Sequence, residues 1–99
     1  PGVVHPGEKG EAIWKTLQYE GLRIRMVEYT AGYLADHWCT KGHIIYCIEG
    51  EMTSHLSDGT RQTLCAGMTY QVTDDASSHK SQTETGVRLL IIDGDFLKP

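Results

Sequence analysis

Turn-forming residues, mostly glycine, recur along the chain at short and regular intervals, and this spacing restricts the fold more than any other feature. The turn signals lie near residues 21, 32, 42, 50, 59, 67, 75, 86 and 94. An interval of about 8–11 residues is typical of a β-sandwich or barrel. No segment shows the sustained 3.6-residue periodicity of a long helix. The sequence therefore predicts an all-β chain.

The segments between the turns are rich in aromatic and β-branched residues, as strands are. Predicted strands cover residues 12–19, 22–30, 43–48, 51–57, 60–65, 68–73, 79–85 and 87–93. Glu20-Gly21 predicts a two-residue hairpin and Glu49-Gly50 a tight turn. Asp58-Gly59 is the strongest hairpin signal and predicts a type I′ turn. Antiparallel closure of these strands into a jelly roll would protect the sheet edges.

Length and charge limit the classes of protein that remain. Ninety-nine residues suit one domain, for which we expect an N-terminal arm over residues 1–11 and the domain over residues 12–99. The net charge is −4 and there is no basic run, which argues against a nucleic acid partner. No apolar stretch reaches the roughly 18 residues of a membrane-spanning helix, so we expect no membrane partner.

The cysteines indicate a reducing environment. There are three, an odd number, and Cys47 and Cys65 each lie in an apolar run. This pattern is typical of buried, reduced thiols in a cytoplasmic protein, and a structural disulfide is the less favoured alternative.

Residues 36–43 concentrate side chains that bind metals. His37 and Cys39 have the same strand parity, and His43, four residues further on, can return to that face. Neutral imidazole and thiolate are both good ligands for a borderline metal such as zinc. His79, from another strand, would complete such a site.

The spacing of these residues resembles the first motif of the cupin family, G-x5-H-x-H-x3,4-E-x6-G. From its first histidine onward the motif is matched by His37-x-Cys39-x3-His43-x6-Gly50. Four residues rather than five separate Gly32 from His37. Cysteine stands in place of the second histidine, and histidine in place of the glutamate.

The second cupin motif, G-x5-P-x-G-x2-H-x3-N, is matched only by Gly67 and His79, which lie one residue further apart than the pattern. Residues 35–43 and the closing segment 89–96 also resemble a largely uncharacterised group of short bacterial cupin-fold proteins, named for an Asp-His-Cys-Trp (DHCW) motif. The resemblance covers most of residues 12–97.

The resemblance implies a single-domain double-stranded β-helix, which is a jelly-roll barrel, with His37, Cys39, His43 and His79 as metal ligands. Three imidazoles and one thiolate keep the charge of the usual cupin set. The softer sulfur favours a divalent transition metal such as zinc, nickel or iron over manganese or magnesium. If Cys39 turns away, three imidazoles with an open position resemble a catalytic zinc site.

We therefore expect a small cupin that binds a divalent metal and a small polar molecule. If it is an enzyme, the resemblance implies metal-dependent chemistry of the isomerase or oxygenase type. Two alternatives stay open: a metal-free binding or sensing module, and a redox sensor that uses Cys39. The resemblance also implies a homodimer, with an interface at the apolar hairpin of residues 12–30 and the arm before it.

Other polar and aromatic residues have weaker claims to a role. Arg23, Arg25 and Arg88 are candidates to hold an anionic ligand, although we expect an exposed strand face to account for at least two of them. We expect His5 and His55 to be solvated or structural. Three aromatic residues could line a pocket, although packing is the commoner role of aromatics in strands. They are Trp14, Tyr46 and Tyr70.

Overall fold

The computed structural model describes residues 2–36, 38–39, 42–72 and 78–94, and eight strands lie in this part of the chain. They are β1 (Val3–Pro6), β2 (Glu11–Tyr19), β3 (Leu22–Tyr29), β4 (His43–Leu56), β5 (Arg61–Cys65), β6 (Thr69–Val72), β7 (His79–Gln82) and β8 (Val87–Gly94). The prediction of an all-β fold is confirmed. None of the described residues forms a helix that is long and apolar enough to span a membrane.

The strands form two sheets that share β4. The large sheet has the order β1-β2-β3-β8-β4-β6, and it uses the first half of β4. The small sheet has the order β5-β4-β7, and it uses the second half. All of these pairs are antiparallel. The passage of one long strand from sheet to sheet closes the two around a common interior, as expected for a jelly roll.

The predicted tight turn at Glu49-Gly50 is wrong, because β4 runs through these residues without reversing. The register between β4 and β8 instead shifts between Cys47 and Glu49, which marks a β-bulge. Gly50 has a φ of +88°, and a Cβ at this position would collide with the carbonyl oxygen of Gly86. A bulge with a glycine in the left-handed region bends the strand from one sheet into the other.

The hairpin at Asp58-Gly59 is confirmed, but its loop has three residues rather than two. The Gly59 N–H donates to the Leu56 carbonyl at 3.0 Å, so Ser57 and Asp58 are the central residues of the turn. Gly59 follows them with a φ of +92°. A turn followed by a glycine bulge needs a positive φ at the glycine, whereas the predicted type I′ turn needs it at both central residues.

The remaining strand predictions agree with the structure within a few residues. Glu20-Gly21 forms the expected two-residue loop, since Tyr19 pairs with Leu22 and Gly21 has a φ of +69°. Strands β5 to β8 begin at or within one residue of the predicted positions.

The segment predicted as an arm lies against the large sheet and contributes its edge strand. Strand β1 pairs with β2, with His5 opposite Ala12, and the His5 ring lies 3.8 Å from the Trp14 ring, centroid to centroid. The Glu8 N–H donates to the Leu34 carbonyl at 2.8 Å and ties the segment down further. An edge position suits Pro6, which lacks the N–H of an inner strand.

The core lies between the sheets and is built from alternate strand residues. Along β8 the odd-numbered residues point inward and are buried. Cys47 is completely buried, as predicted, and this burial raises the pKa of its thiol. The three cysteines are free thiols. The buried apolar residues are Ala12, Val27, Tyr29, Tyr33, Ala35, Ile45, Cys47, Met52, Leu64, Val87, Leu89 and Ile91.

The bulge glycine gives a test of this architecture. We expect Gly50→Ala to lower the free energy of unfolding by more than Gly32→Ala, measured by urea denaturation. Both positions have positive φ, which costs a non-glycine residue about 1–2 kcal/mol. Gly32 has open space around its Cβ position, whereas Gly50 faces the Gly86 backbone. Equal losses would mean that the close approach of β4 to Gly86 is unimportant.

Candidate metal centre

Cys39, His43 and His79 come together from three places in the chain. His43 is the first residue of β4 in the large sheet, and His79 is the first residue of β7 in the small sheet. Cys39 lies outside the strands but is joined to His79 by two backbone hydrogen bonds, of 2.8 and 2.9 Å. This bridge holds Cys39 against the first residue of β7.

The donor atoms of the three residues converge. Cys39 Sγ lies 3.8 Å from His43 Nε2, and one ligand atom from each residue falls within 4.8 Å of the others. In a tetrahedral zinc site with Zn–N and Zn–S bonds of ordinary length, ligand atoms lie roughly 3.3–3.8 Å apart. The three residues could therefore hold a metal ion after small side-chain movements. The predicted ligand His37 lies outside the described residues.

The centre is sheltered but can be reached from the barrel interior. His43 and His79 are 7% and 4% exposed, and their rings meet edge to face with centroids 5.2 Å apart. Cys39 is half-buried, whereas Trp38 beside it is 48% exposed. The opposite exposure of these neighbours agrees with the strand parity expected from the sequence.

Asp93 orients His43. Its Oδ2 lies 3.0 Å from His43 Nδ1, and both side chains are buried. Because an ionised carboxylate only accepts, we assign the Nδ1–H as the donor, which leaves the lone pair on Nε2, the nitrogen near Cys39. A carboxylate behind a histidine is the arrangement that commonly orients a metal-binding imidazole.

Asp93 is itself held by two arginines. Arg23 donates to Oδ1 and Oδ2 through Nε and Nη2, at 2.9 Å each, and Arg25 Nη2 donates to Oδ2 at 2.9 Å. Burial by itself would raise the pKa of Asp93, but the bonds from Arg23 and the two guanidinium charges outweigh it and bring the pKa below its ordinary value. These same bonds raise the pKa of Arg23, whereas burial lowers that of Arg25.

The expected exposure of at least two of the three arginines is wrong. Arg88 is exposed and pairs with Glu49 at 3.4 Å. Arg25 is buried and Arg23 is half-buried, because on β3 they share the inward face with Val27. Asp93 lies at an inward-facing position of β8, as Leu89 and Ile91 do. A charged residue among inward-facing apolar residues was the signal in the sequence that could have identified Asp93.

A cavity of about 270 Å³ adjoins the three candidate ligands. Arg23, Arg25 and Trp14 form part of its wall, and the Arg25 guanidinium lies 4.4 Å from the centre of the Trp14 ring. Of the other aromatic candidates, Tyr46 is exposed on the outer face and Tyr70 packs against the core. Trp14 alone of the three lines this cavity.

The other two histidines have structural contacts, as expected. His5 packs on the ring of Trp14. His55 Nε2 lies 2.7 Å from Gln82 Oε1, outside the cavity that holds the candidate ligands.

Comparison with known proteins identifies the fold. No protein-family model matches the sequence, and no curated protein matches it. A cupin-like protein from Thermotoga maritima MSB8 superposes with a TM-score of 0.81 at 15% identity, over 99% of this chain and 81% of that chain. A cupin-2 domain containing protein from Shewanella frigidimarina NCIMB 400 has a TM-score of 0.67 at 16% identity, over 83% and 79%.

An ectoine synthase from P. lautus also superposes, with a TM-score of 0.69 at 21% identity over 84% of this chain and 63% of that chain. Together with the two-sheet architecture, these likenesses show that the chain has the cupin fold.

The Asp93 contacts lead to a prediction about stability. We expect Asp93→Asn to lower the free energy of unfolding by about 3 kcal/mol, because it leaves the buried Arg25 and the half-buried Arg23 without their carboxylate. Glu49→Gln, which removes the exposed partner of Arg88, should change stability little.

The same contacts predict a dependence on pH. Because the pKa of Asp93 is lowered in the folded protein, its contribution is complete above the unfolded pKa and is lost as pH falls below about 4. Urea denaturation at pH values from neutral to about 2 should show this loss in the wild type and a smaller one in Asp93→Asn. Parallel curves for the two proteins would contradict the assignment.

Proposed function

We propose that this protein is a small metal-binding cupin that takes a small polar ligand into its barrel. Cys39, His43 and His79 would hold a divalent transition metal, with His37 as the fourth ligand on the grounds of motif spacing. The observation that carries the proposal is the convergence of one sulfur and two imidazole donors within 4.8 Å at the wall of a cavity.

The chemistry of the donor set supports zinc, nickel or iron. Imidazole and thiolate are borderline and soft ligands, which suit these metals better than manganese or magnesium. Asp93 orients His43 so that Nε2 is available, as a metal-binding imidazole requires. A bound metal of this kind polarises a carbonyl oxygen or activates water.

The surrounding residues would exclude water and position the ligand. Ile45, Met52 and Ile91 form the apolar part of the wall, and Arg25 and Trp14 contribute a cation–π pair. Cupin-fold neighbours include an enzyme, the ectoine synthase, but at 21% identity its reaction does not transfer to this chain. We therefore propose metal and ligand binding for this protein, and, as an extension, enzymatic activity of the isomerase or oxygenase type. We also propose membership of the DHCW-motif group and a cytoplasmic location, the latter supported by the three free thiols.

Metal analysis tests the proposal. We expect protein purified without chelator to carry close to one equivalent of zinc, nickel or iron, and we expect His43→Ala and His79→Ala to lose most of it. Removing a ligand leaves too few donors to hold the ion. His55→Ala is the matched control, because His55 is a partly buried strand histidine outside the centre, and it should retain the metal.

Alkylation of Cys39 separates the metal proposal from its alternatives. A metal-bound thiolate should be protected from iodoacetamide until a chelator is added, whereas buried Cys47 should react slowly throughout. Metal content that stays low after reconstitution and is equal in all three histidine variants would contradict the proposal. Fast reaction of Cys39 in such metal-free protein would instead favour redox sensing, and slow reaction would favour a metal-free binding module.

We further propose that the protein forms a homodimer through the outer face of the large sheet. Leu17 and Met26 on the β2–β3 hairpin are 59% and 39% exposed, and Tyr46 on β4 is 42% exposed. Registers place Met26 and Tyr46 on either side of Leu90, so these three side chains form one row on the outer face. Leu17 lies in the next row, opposite Ile24. A contiguous apolar patch on a sheet face is typical of a protein contact, and a second copy of the same face can cover it with two-fold symmetry.

The dimer proposal predicts that Met26→Glu converts the protein to a monomer, because it places a charge in the centre of an apolar contact. Thr63→Glu is the control, since Thr63 is exposed on the small sheet. Sedimentation velocity should show a dimer for the wild type and Thr63→Glu. A monomeric wild type, or a dimeric Met26→Glu variant, would contradict the proposed interface.

A further inference from the structure

The cavity beside the candidate metal centre has an excess of positive charge on its wall. Arg23 and Arg25 both line it, and both contact the single carboxylate of Asp93. Arginine stays protonated at neutral pH. Arg23, Arg25 and Asp93 together therefore carry one uncompensated positive charge. Lys80, which also lines the cavity, is paired with Glu8 at 3.4 Å.

Arg25 has an unused hydrogen-bond donor. Its Nε is shielded from solvent and has no partner in the part of the chain that the structure describes. The residue as a whole is 5% exposed. Buried donors in folded proteins are nearly always satisfied by protein, water or ligand. An acceptor bound in the adjoining cavity would satisfy this donor after a small rotation of the guanidinium.

Arg23 adds a second set of donors on the same wall. It binds Asp93 through Nε and Nη2, so Nη1 takes no part in this pair of bonds. Its side chain is 31% exposed, and it lines the cavity. Guanidinium groups present planar, directed donors that match the oxygens of a carboxylate or a phosphate.

Charge and size favour a carboxylate over a phosphate. Without a metal, the group of Arg23, Arg25 and Asp93 offers one uncompensated positive charge, which matches one carboxylate, whereas a phosphate monoester carries about two negative charges at neutral pH. A volume of about 270 Å³ lies just below the usual range of ligand pockets, which starts at about 300 Å³, so the ligand is small. Ile45, Met52 and Ile91 in the wall suit a short hydrocarbon part.

We propose that the ligand of this cavity is a small organic acid whose carboxylate binds Arg23 and Arg25 beside the candidate metal centre. The inference rests on the proposed function, because it names the class of ligand for the same cavity. It assigns the two arginines to ligand binding, while Asp93 holds them in place.

Titration of the 99-residue chain with propanoate tests the inference. Propanamide is the matched neutral probe of the same shape, and inorganic phosphate is the second anion. Binding is followed by chemical-shift changes of the isotope-labelled protein, in chelator-treated and in zinc-loaded samples. We expect saturable binding of propanoate in both samples, with propanamide binding at least about tenfold more weakly, since a charge-assisted hydrogen bond is worth that much. Phosphate should also bind more weakly than propanoate to the metal-free sample, because its second negative charge has no partner there.

Arginine variants locate the site. Arg25→Gln and Arg23→Gln should each weaken propanoate binding by about tenfold or more. Arg88→Gln is the control, because Arg88 is exposed and pairs with Glu49 away from the cavity. Thermal unfolding of each variant shows whether it folds. If Arg25→Gln does not fold, because Arg25 is buried, the comparison is made between Arg23→Gln and Arg88→Gln.

Four results would overturn the inference. Propanamide that binds as well as propanoate would show that charge is not recognised. If Arg23→Gln binds propanoate as tightly as Arg88→Gln does, the carboxylate binds elsewhere. If propanoate binds only to the zinc-loaded protein, the carboxylate binds the metal. Phosphate that binds more tightly, with the same dependence on Arg23, would replace the carboxylate with a phosphate group. If the protein fails to hold a metal but still binds propanoate, the inference is supported and only the proposed metal function is contradicted.

Discussion

The buried carboxylate of Asp93 is the contact on which the interior of this barrel depends. It accepts hydrogen bonds from Arg23 and Arg25 and from the ring of His43, and it is 1% exposed. Two cations and an imidazole would not occupy the inward face of the large sheet without it, because isolated charges are costly to bury. One carboxylate thereby links the scaffold to the candidate metal centre.

That link connects two halves of a potential site. On one side, His43 Nε2 lies near Cys39 and His79, where soft donors converge. On the other, the arginines line the cavity, and the Trp14 ring stacks on Arg25. A ligand held by the guanidiniums would lie beside the three donors. The fold supplies this proximity by passing β4 from one sheet to the other, so that β4 and β7 bring their first residues to one centre.

Secondary structure was largely predictable because it depends on local constraints. Turn residues at short intervals mark strand ends, and the Glu20-Gly21 loop followed directly from its residue types. The prediction at Glu49-Gly50 failed because a glycine with positive φ serves a bulge as well as it serves a turn. Local sequence does not say whether the chain reverses there, since that depends on the strands available to pair on each side.

The sequence by itself determined the all-β class, the cupin-like spacing and the inclusion of Cys39, His43 and His79 in one candidate site. Residue type and turn spacing are enough for the class, strand parity groups Cys39 with His43, and the resemblance to the cupin motifs adds His79. Only the tertiary structure decided that Arg25 and Asp93 belong to the interior. Their contact joins β3 to β8, strands separated by most of the chain, and a charged residue is stable on an inward face only when its partner is there too. Read alone, each residue resembles an ordinary surface charge, and the pair becomes recognisable once the strands are aligned.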